Sequence, residues 1–421
     1  MALTGALLLT SAPLASADSI RDQQWPLRVF DAERVWKTSQ GEGVTVAVVD
    51  SGVDASHPDL TGQVLPGKDF SRDSSDPHQD NDGHGTGMAS LIAGHGHGPN
   101  NASGVMGLAP KSKILPVKAD AGKKNMDVTW PSGVRYAVDQ GAKVINLSFN
   151  DNNAYPGSKA AKAIAYAQEH DVVVVAGAGN DGGSVNYPAA LPGVVAVTAI
   201  DESLTFWDNS NSGKGVILAA PGEGILRADP PRAGGYAEAS GTSDATAYVS
   251  AIAALVRSKY PDLTAGQVIN RLIKSASFLK NKVSEVPDRQ YGYGIARPGS
   301  ALTMDIPKGP KEGPLPQAPS STSTNSGKAS EDNGSSTNNQ AKKKSSSTGI
   351  LAIAGIAAVV VIGGIVFAVI RSRRNRGNGG GPYGGQGGGP GGTSAQTANY
   401  APYPAAPTSH NPGGPNPYQQ P

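Results

Sequence analysis

Apolar residues in this chain gather in short continuous runs, not in long alternating ones. Val44–Val49 reads VTVAVV and ends in Asp50-Ser51-Gly52. Lys143–Phe149 (KVINLSF), Val172–Ala176 (VVVVA) and Val194–Ile200 (VVAVTAI) repeat the pattern. Runs of this length, rich in β-branched residues and without polar alternation, fit strands buried on both faces, as in a parallel sheet. Ser158–Glu169 lies between two of them and reads as a helix. Gly241-Thr242-Ser243 opens a long apolar stretch that predicts a helix to about Tyr260, stopped by Pro261. A shorter helix is expected over Met88–Ala93, after the glycines that flank His84. Tyr291–Gly294 reads as a closing turn and Ala296–Leu302 as a last helix. Strands alternating with helices predict an α/β fold with a mostly parallel central sheet.

The flanks follow other patterns. Ala2–Leu14 is apolar and small, and Ala15-Ser16-Ala17 fits a cleavage site before Asp18, although no basic stretch precedes it. Residues 1–17 therefore read as the later part of a signal peptide. Residues 18–43 carry Trp25, Val29, Phe30, Val35 and Trp36 and are expected to pack on the folded domain at 44–302. Residues 303–349, rich in Pro, Ser, Thr, Asn and Lys, read as a flexible stalk. Ile350–Ile370 holds twenty-one residues with no charge, enough for one membrane-spanning helix. Arg371, Arg373, Arg374 and Arg376 come directly after it, which places the tail at 371–421 in the cytoplasm. The expected location is the cell membrane, single-pass, with the folded domain extracytoplasmic.

Composition narrows the chemistry. A formal charge of +2 and no basic stripe give no reason to expect nucleic acid. The absence of cysteine removes disulfides, thiolate metal sites and a cysteine nucleophile together. Asp69, Asp73, Asp76, Asp80 and Asp82 crowd one loop, read as a solvated acidic loop in preference to a Ca²⁺ site. His95 and His97 in GHGHG have no third ligand at metal spacing and read as a glycine-rich surface loop. No metal and no cofactor are expected.

Three short motifs carry the remaining chemistry. Asp50 lies in VVDSGVD, His84 in DGHGTGMASLIAG and Ser243 in SGTSDATAYVSAIAALV. Each sits at a strand end or helix start, where a parallel sheet gathers its site. A serine hydroxyl needs a base to become a nucleophile; His84 supplies one near neutral pH, and Asp50 can hold the imidazole tautomer. Asn180, after Gly177-Ala178-Gly179, can offer its amide to an oxyanion.

These four motifs, from about Val44 to Leu302, resemble the subtilases, whose catalytic residues also run Asp, His, Ser along the chain. The segment WPLRVFDAERVWKTSQGEGVTVAVVDSGVD is similar to that of the mycosins, membrane-anchored subtilases of type VII secretion systems. Only 32 residues separate Ala17 from Asp50, too few for a folded prodomain, and a stalk and a membrane span come after the domain, as in that group. The resemblance implies a subtilisin-like three-layer fold and a serine endopeptidase with Asp50, His84, Ser243 and Asn180 as catalytic residues. It implies protein or peptide substrates, exported by the secretion system, and contact with the secretion membrane complex. The alternative is a scaffold subunit of that complex with proteolysis secondary. Ser148-Phe149-Asn150 matches the strand that pairs with substrate backbone, Ala176, Gly177, Ala178 and Gly179 one wall of the S1 pocket, and Asn186 its base.

Three departures from the family pattern stand out. Asn150 and Asp151 replace the usual glycines, implying a narrower pocket mouth. Asp244 comes after the nucleophile where an apolar residue is common, and a carboxylate there would favour imidazolium. Ala247 stands in place of a proline, with Tyr248 next.

Overall fold

The computed structural model describes residues 19–71, 76–119 and 129–317. The expected signal peptide, most of the stalk, the apolar run Ile350–Ile370, the tail and Asp73 lie outside them. Among the described residues no helix is long and apolar enough to cross a membrane.

Helices α1 (Ser19–Asp22), α2 (Trp25–Val29) and α3 (Ala32–Trp36) lead into strand β1 (Thr45–Asp50). Then come β2 (Lys68–Asp69), α4 (His84–Ala93), β3 (His95–His97), β4 (Ser103–Met106), β5 (Lys113–Lys118) and α5 (Trp130–Asp139). The next elements are β6 (Val144–Leu147), α6 (Lys159–Glu169), β7 (Val173–Gly177), β8 (Val195–Ile200) and β9 (Leu218–Pro221). The last elements among the described residues are β10 (Ile225–Ala228), β11 (Tyr236–Ala239), α7 (Thr242–Lys259), α8 (Ala265–Ser275) and α9 (Pro298–Thr303). Among the described residues seven strands form one sheet in the order β2-β5-β1-β6-β7-β8-β9. Its paired strands run parallel, with Val48 opposite both Pro116 and Asn146, and Leu147 opposite Ala176. Hairpins β3-β4 and β10-β11 are antiparallel.

The apolar runs are buried because helices cover both faces of the sheet. Val46, Val48, Val144, Val173, Val175 and Val197 pack with α4, α7 and α8. The alternate residues Ala47, Val49, Ile145, Leu147, Val174 and Ala176 pack with α5 and α6. Helices, sheet and helices make three layers. α4 and α7 share one face, and contacts place their starts at strand ends: α4 begins against Gly52 after β1, and α7 begins against Ser148 after β6 and Gly177 of β7.

Several expected elements shift. The helix expected at Met88 starts at His84, so Gly85 and Gly87 lie inside it. Ser158 is the cap of α6, accepting from the Ala161 N–H at 3.2 Å. His95–His97 is a strand, not a loop, and His97 Nδ1 lies 2.6 Å from the buried Asp59 carboxylate. The last helix begins at Pro298. The described part of the 18–43 segment packs on the domain as expected, with Trp25, Phe30 and Val35 buried in its core. Beyond Leu302 the chain stays docked where a stalk was expected to begin: Leu315 is buried and Gln267 Nε2 donates to the Gly309 carbonyl.

Candidate active site

Asp50 is the last residue of β1 and 4% exposed. Its Oδ1 accepts from the Ser51 N–H at 2.8 Å and pairs with His84 Nδ1 at 2.8 Å. Its Oδ2 is buried without a hydrogen-bond partner among the described residues. His84 opens α4. That helix can approach β1 closely only because residue 85 is glycine: a Cβ there would lie 2.1 Å from the Gly52 carbonyl oxygen. Burial by itself lowers the His84 pKa, but the Asp50 charge and hydrogen bond outweigh it and hold the imidazole above its ordinary value.

Asp80, from the acidic loop, holds these two segments in register. Its Oδ1 accepts from Ser51 Oγ at 2.9 Å and from the Gly83 N–H at 2.9 Å. Its Oδ2 accepts from the Thr86 N–H at 2.9 Å and Thr86 Oγ1 at 2.7 Å. A carboxylate at a helix N-terminus meets N–H groups that have no partner in the helix. Asp80 is 7% exposed, so it is not part of a solvated face as the loop composition suggested. The sequence signal was available: an acid four residues ahead of a helix-opening histidine. Asp69 accepts from the Ser71 N–H and Asp76 from the His78 N–H. Among the described residues no three His, Asp or Glu side chains group to hold a metal.

Ser243 stands in the first turn of α7. Its Oγ donates to the Ser148 carbonyl at 3.1 Å, so the hydroxyl must leave that carbonyl to meet the imidazole. A buried polar thread fixes the Ser243 peptide from below. Ser148 Oγ donates to the Ser243 carbonyl at 3.0 Å, Asn146 Nδ2 donates to Ser148 Oγ at 2.9 Å, and Ser250 Oγ donates to Asn146 Oδ1 at 3.0 Å. Sequence reasoning missed this thread. Its one signal is an asparagine and a serine inside the apolar run KVINLSF, on the residues that face α7.

Asn180 comes after β7. The Thr242 N–H and Thr242 Oγ1 both donate to Asn180 Oδ1 at 2.9 Å. A backbone N–H can only donate, so the amide oxygen is fixed there and Nδ2 is left free for the site side. The turn that aims Asn180 needs glycine at 179, where φ is +117° and a Cβ would lie 2.2 Å from Asn211 Nδ2. A base, its orienting carboxylate, a hydroxyl at a helix start and an amide donor thus converge above β1, β6 and β7. Such a set can carry out acyl transfer.

The subtilase family model matches residues 41–294, more than half of the chain. The chain belongs to the subtilase family. It is 38% identical to thermitase of Thermoactinomyces vulgaris over 65% of this chain and 91% of that protein. It is also 38% identical to subtilisin E of Bacillus subtilis, over 61% of this chain and 64% of that protein. Among solved structures, MycP1 of Mycobacterium smegmatis aligns with a TM-score of 0.60 at 29% identity, covering 72% of this chain and 89% of that one. MycP3, described as a protease from the type VII (ESX-3) secretion system, aligns with a TM-score of 0.57 at 32% identity, covering 67% and 88%. Like these relatives, the chain is a serine protease.

The structure of this subtilase also gathers the segments expected to bind substrate. Ser148, Phe149 and Asn150 leave β6 beside Ala176 and Gly177, which end β7. Asn186 comes against the same wall, its N–H donating to the Ala178 carbonyl at 2.8 Å. Its Nδ2 reaches Asp181 Oδ2 at 3.5 Å. Asp151 does not narrow the mouth as expected. It is 6% exposed, and its carboxylate turns inward to accept from Trp130 Nε1 at 2.9 Å and from the Asn153 N–H at 2.8 Å. Asp244 likewise turns inward, onto Arg227 at 3.1 Å.

Proposed function

We propose that this subtilase is a membrane-anchored, extracytoplasmic endopeptidase that processes proteins exported by a type VII secretion system. The observation that carries the catalytic part is the 2.8 Å bond between Asp50 Oδ1 and His84 Nδ1, with Ser243 at the start of α7. With Nδ1 bound to the carboxylate, the proton sits on Nδ1 and Nε2 is free to act as base. The Ser243 hydroxyl turns from the Ser148 carbonyl to Nε2, loses its proton there and attacks the scissile carbonyl carbon. The tetrahedral oxyanion receives the Asn180 amide and the Ser243 N–H, one of the helix-start donors without an intrahelical acceptor. His84 then passes the proton to the leaving amine, and water releases the acyl group from Ser243 by the reverse steps. The secretion role is supported by the likeness to MycP1 and MycP3 and by the apolar run at 350–370 behind a signal-like N-terminus.

The test uses a membrane-impermeant fluorophosphonate on intact cells carrying the full chain. Wild type should be labelled from outside, Ser243→Ala not at all, and His84→Ala only weakly. Exported proteins from wild-type and Ser243→Ala cells are then compared by mass spectrometry for missing cleavages. Labelling that persists in Ser243→Ala rejects the nucleophile. Unaltered processing in Ser243→Ala, with export lost only when the whole chain is deleted, makes the chain a scaffold instead.

A further inference from the structure

The residue after the nucleophile is a carboxylate with almost no access to water. Asp244 lies in the first turn of α7 and is 1% exposed. Its Oδ1 accepts from Arg227 Nη1 at 3.1 Å. Arg227 reaches it from β10, and its Nε is buried with no partner among the described residues. Space for the arginine comes from α4: a Cβ on Gly87 would lie 2.8 Å from Arg227 Cδ and 3.1 Å from its Nε. Gly87 is three residues on from His84, so it shares the His84 face of that helix. The stem of Arg227 therefore crosses the helix that carries the base and ends on the helix that carries the nucleophile.

A buried ion pair adds little stability over well-packed apolar residues of the same volume. This one also comes with unmet polar atoms. Besides Arg227 Nε, the hydroxyl of Tyr248, one turn on from Asp244, is buried without a partner among the described residues. Burial first, then the Asp244 charge, push the Tyr248 phenol well above its ordinary range, so it stays neutral. Packing alone gives no reason for the pair, and it touches both elements that carry the catalytic groups.

Among the described residues the charged groups around His84 are few. Asp50 contacts it from β1, Arg227 approaches from β10 and Asp244 from α7. At the start of α4 stand Asp80, bonded to the Gly83 and Thr86 N–H groups, and Asp229, beside Gly83 and 3.6 Å from Arg232. From the turn Pro58–Leu60, Asp59 is engaged by His97 and Tyr236. Strand β4 carries no titratable side chain, and Lys118 of β5 donates to the Gln79 carbonyl. Behind burial and Asp50, Arg227 and Asp244 act on the imidazole with opposite signs: the arginine lowers its pKa and the carboxylate raises it. Asp244 itself is raised by burial, with Arg227 and then His84 pulling the other way.

We propose that Arg227 is a positioning residue of the catalytic site: by pairing with Asp244 it stops that carboxylate from holding His84 as imidazolium. A carboxylate next to the nucleophile is then compatible with a neutral base. The inference rests on His84 being the base that activates Ser243.

The experiment measures the rate of fluorophosphonate labelling of the full-length protein in detergent against pH. It uses wild type, Arg227→Met, Asp244→Asn and the double variant, with Arg227→Lys as the charge-conserving control. Arg227→Met should move the acid limb of the profile up by about one pH unit, and Asp244→Asn should move it down. The double variant should return to near the wild-type limb, and Arg227→Lys should stay there. Should one single variant fail to fold, the other single and the double still decide, since the double leaves no unpaired charge. An acid limb that stays in place in the folded single variants overturns the proposal, as does a double variant that fails to return. A pair that only supports the fold would change thermal stability and labelling amplitude without moving the limb. Labelling that persists at full rate in His84→Ala overturns the reading of His84 as base, which is a separate result.

Discussion

Asn180→Ala separates two things that one side chain does. The amide oxygen accepts from the Thr242 N–H and Thr242 Oγ1 at 2.9 Å, and Thr242 is 2% exposed. Removing the acceptor strands buried donors, at a cost of about 1–3 kcal/mol in stability. The free Nδ2 meets negative charge only after Ser243 attacks, so its loss falls on the transition state. Removing one oxyanion donor costs about 10²–10³ in kcat, or roughly 2.7–4 kcal/mol; that range comes from a subtilase and is carried over, not worked from this site. Asn180→Asp keeps an acceptor for Thr242 but removes the donor and sets a negative charge against the oxyanion. It should therefore lose at least as much kcat as Asn180→Ala while keeping more of the stability. Steady-state kinetics on a peptide substrate give the first quantity, and urea unfolding gives the second. KM should change little in either variant. A kcat for Asn180→Ala within about threefold of wild type, with KM raised, would show that Asn180 only shapes the peptide groove.

The same geometry sets two more outcomes. Asp80→Ala should destabilise the fold by about 3 kcal/mol, because it removes a helix cap and strands the buried Thr86 donors; a urea midpoint equal to wild type would refute the account of Asp80 as the link between Ser51 and α4. His84 has a folded pKa raised above the unfolded value, so its protonation stabilises the fold fully below about pH 6.5, and this contribution fades as pH rises through the folded pKa. Activity has the opposite trend, since only the neutral imidazole is a base, so kcat/KM should climb through that same raised value. His84→Gln should flatten the pH dependence of stability over that window; an unchanged dependence would refute it.

What was legible in the sequence was what repeats a simple physical pattern. Continuous apolar runs point to β1, β6, β7 and β8, and an acid, a histidine among glycines and a serine at a helix start point to the candidate catalytic positions. Strand β5 was not legible because Pro116 interrupts KILPVK, and proline argues against an inner strand. The structure accommodates it because β2 is only two residues long and pairs with Val117 and Lys118, leaving that flank of Pro116 unpaired by β2. Helix α8 carries a sequence signal as well, Thr264 and Gln267 in a reciprocal cap. Asp80 reads as solvated because the loop around it is polar, and Asp151 reads as a narrower mouth because it stands in place of a glycine; only the fold shows that each carboxylate turns inward to satisfy buried donors.

The polar residues that a composition argument discards are the ones that make the site a fixed object. Asp50 and Ser243 are far apart in sequence and sit on different elements, so something must hold those elements in register. Each strand end is tied to a helix start by side-chain hydrogen bonds: Asp80 joins the β1 end to α4, Ser148 joins β6 to α7, and Asn180 joins β7 to α7. Helix starts are suited to this because their first N–H groups have no partner of their own. The same deficit serves the chemistry. A helix start whose every N–H was capped would have no donor left for an oxyanion, while one with none capped would not be held in place. In α7 the Thr242 N–H is taken by Asn180 and the Ser243 N–H is not, so a single helix start is both anchored and reactive. The division fails if the anchor moves by one residue, so Thr242, a residue with no part in bond making, sets which N–H of the helix start stays open for the oxyanion.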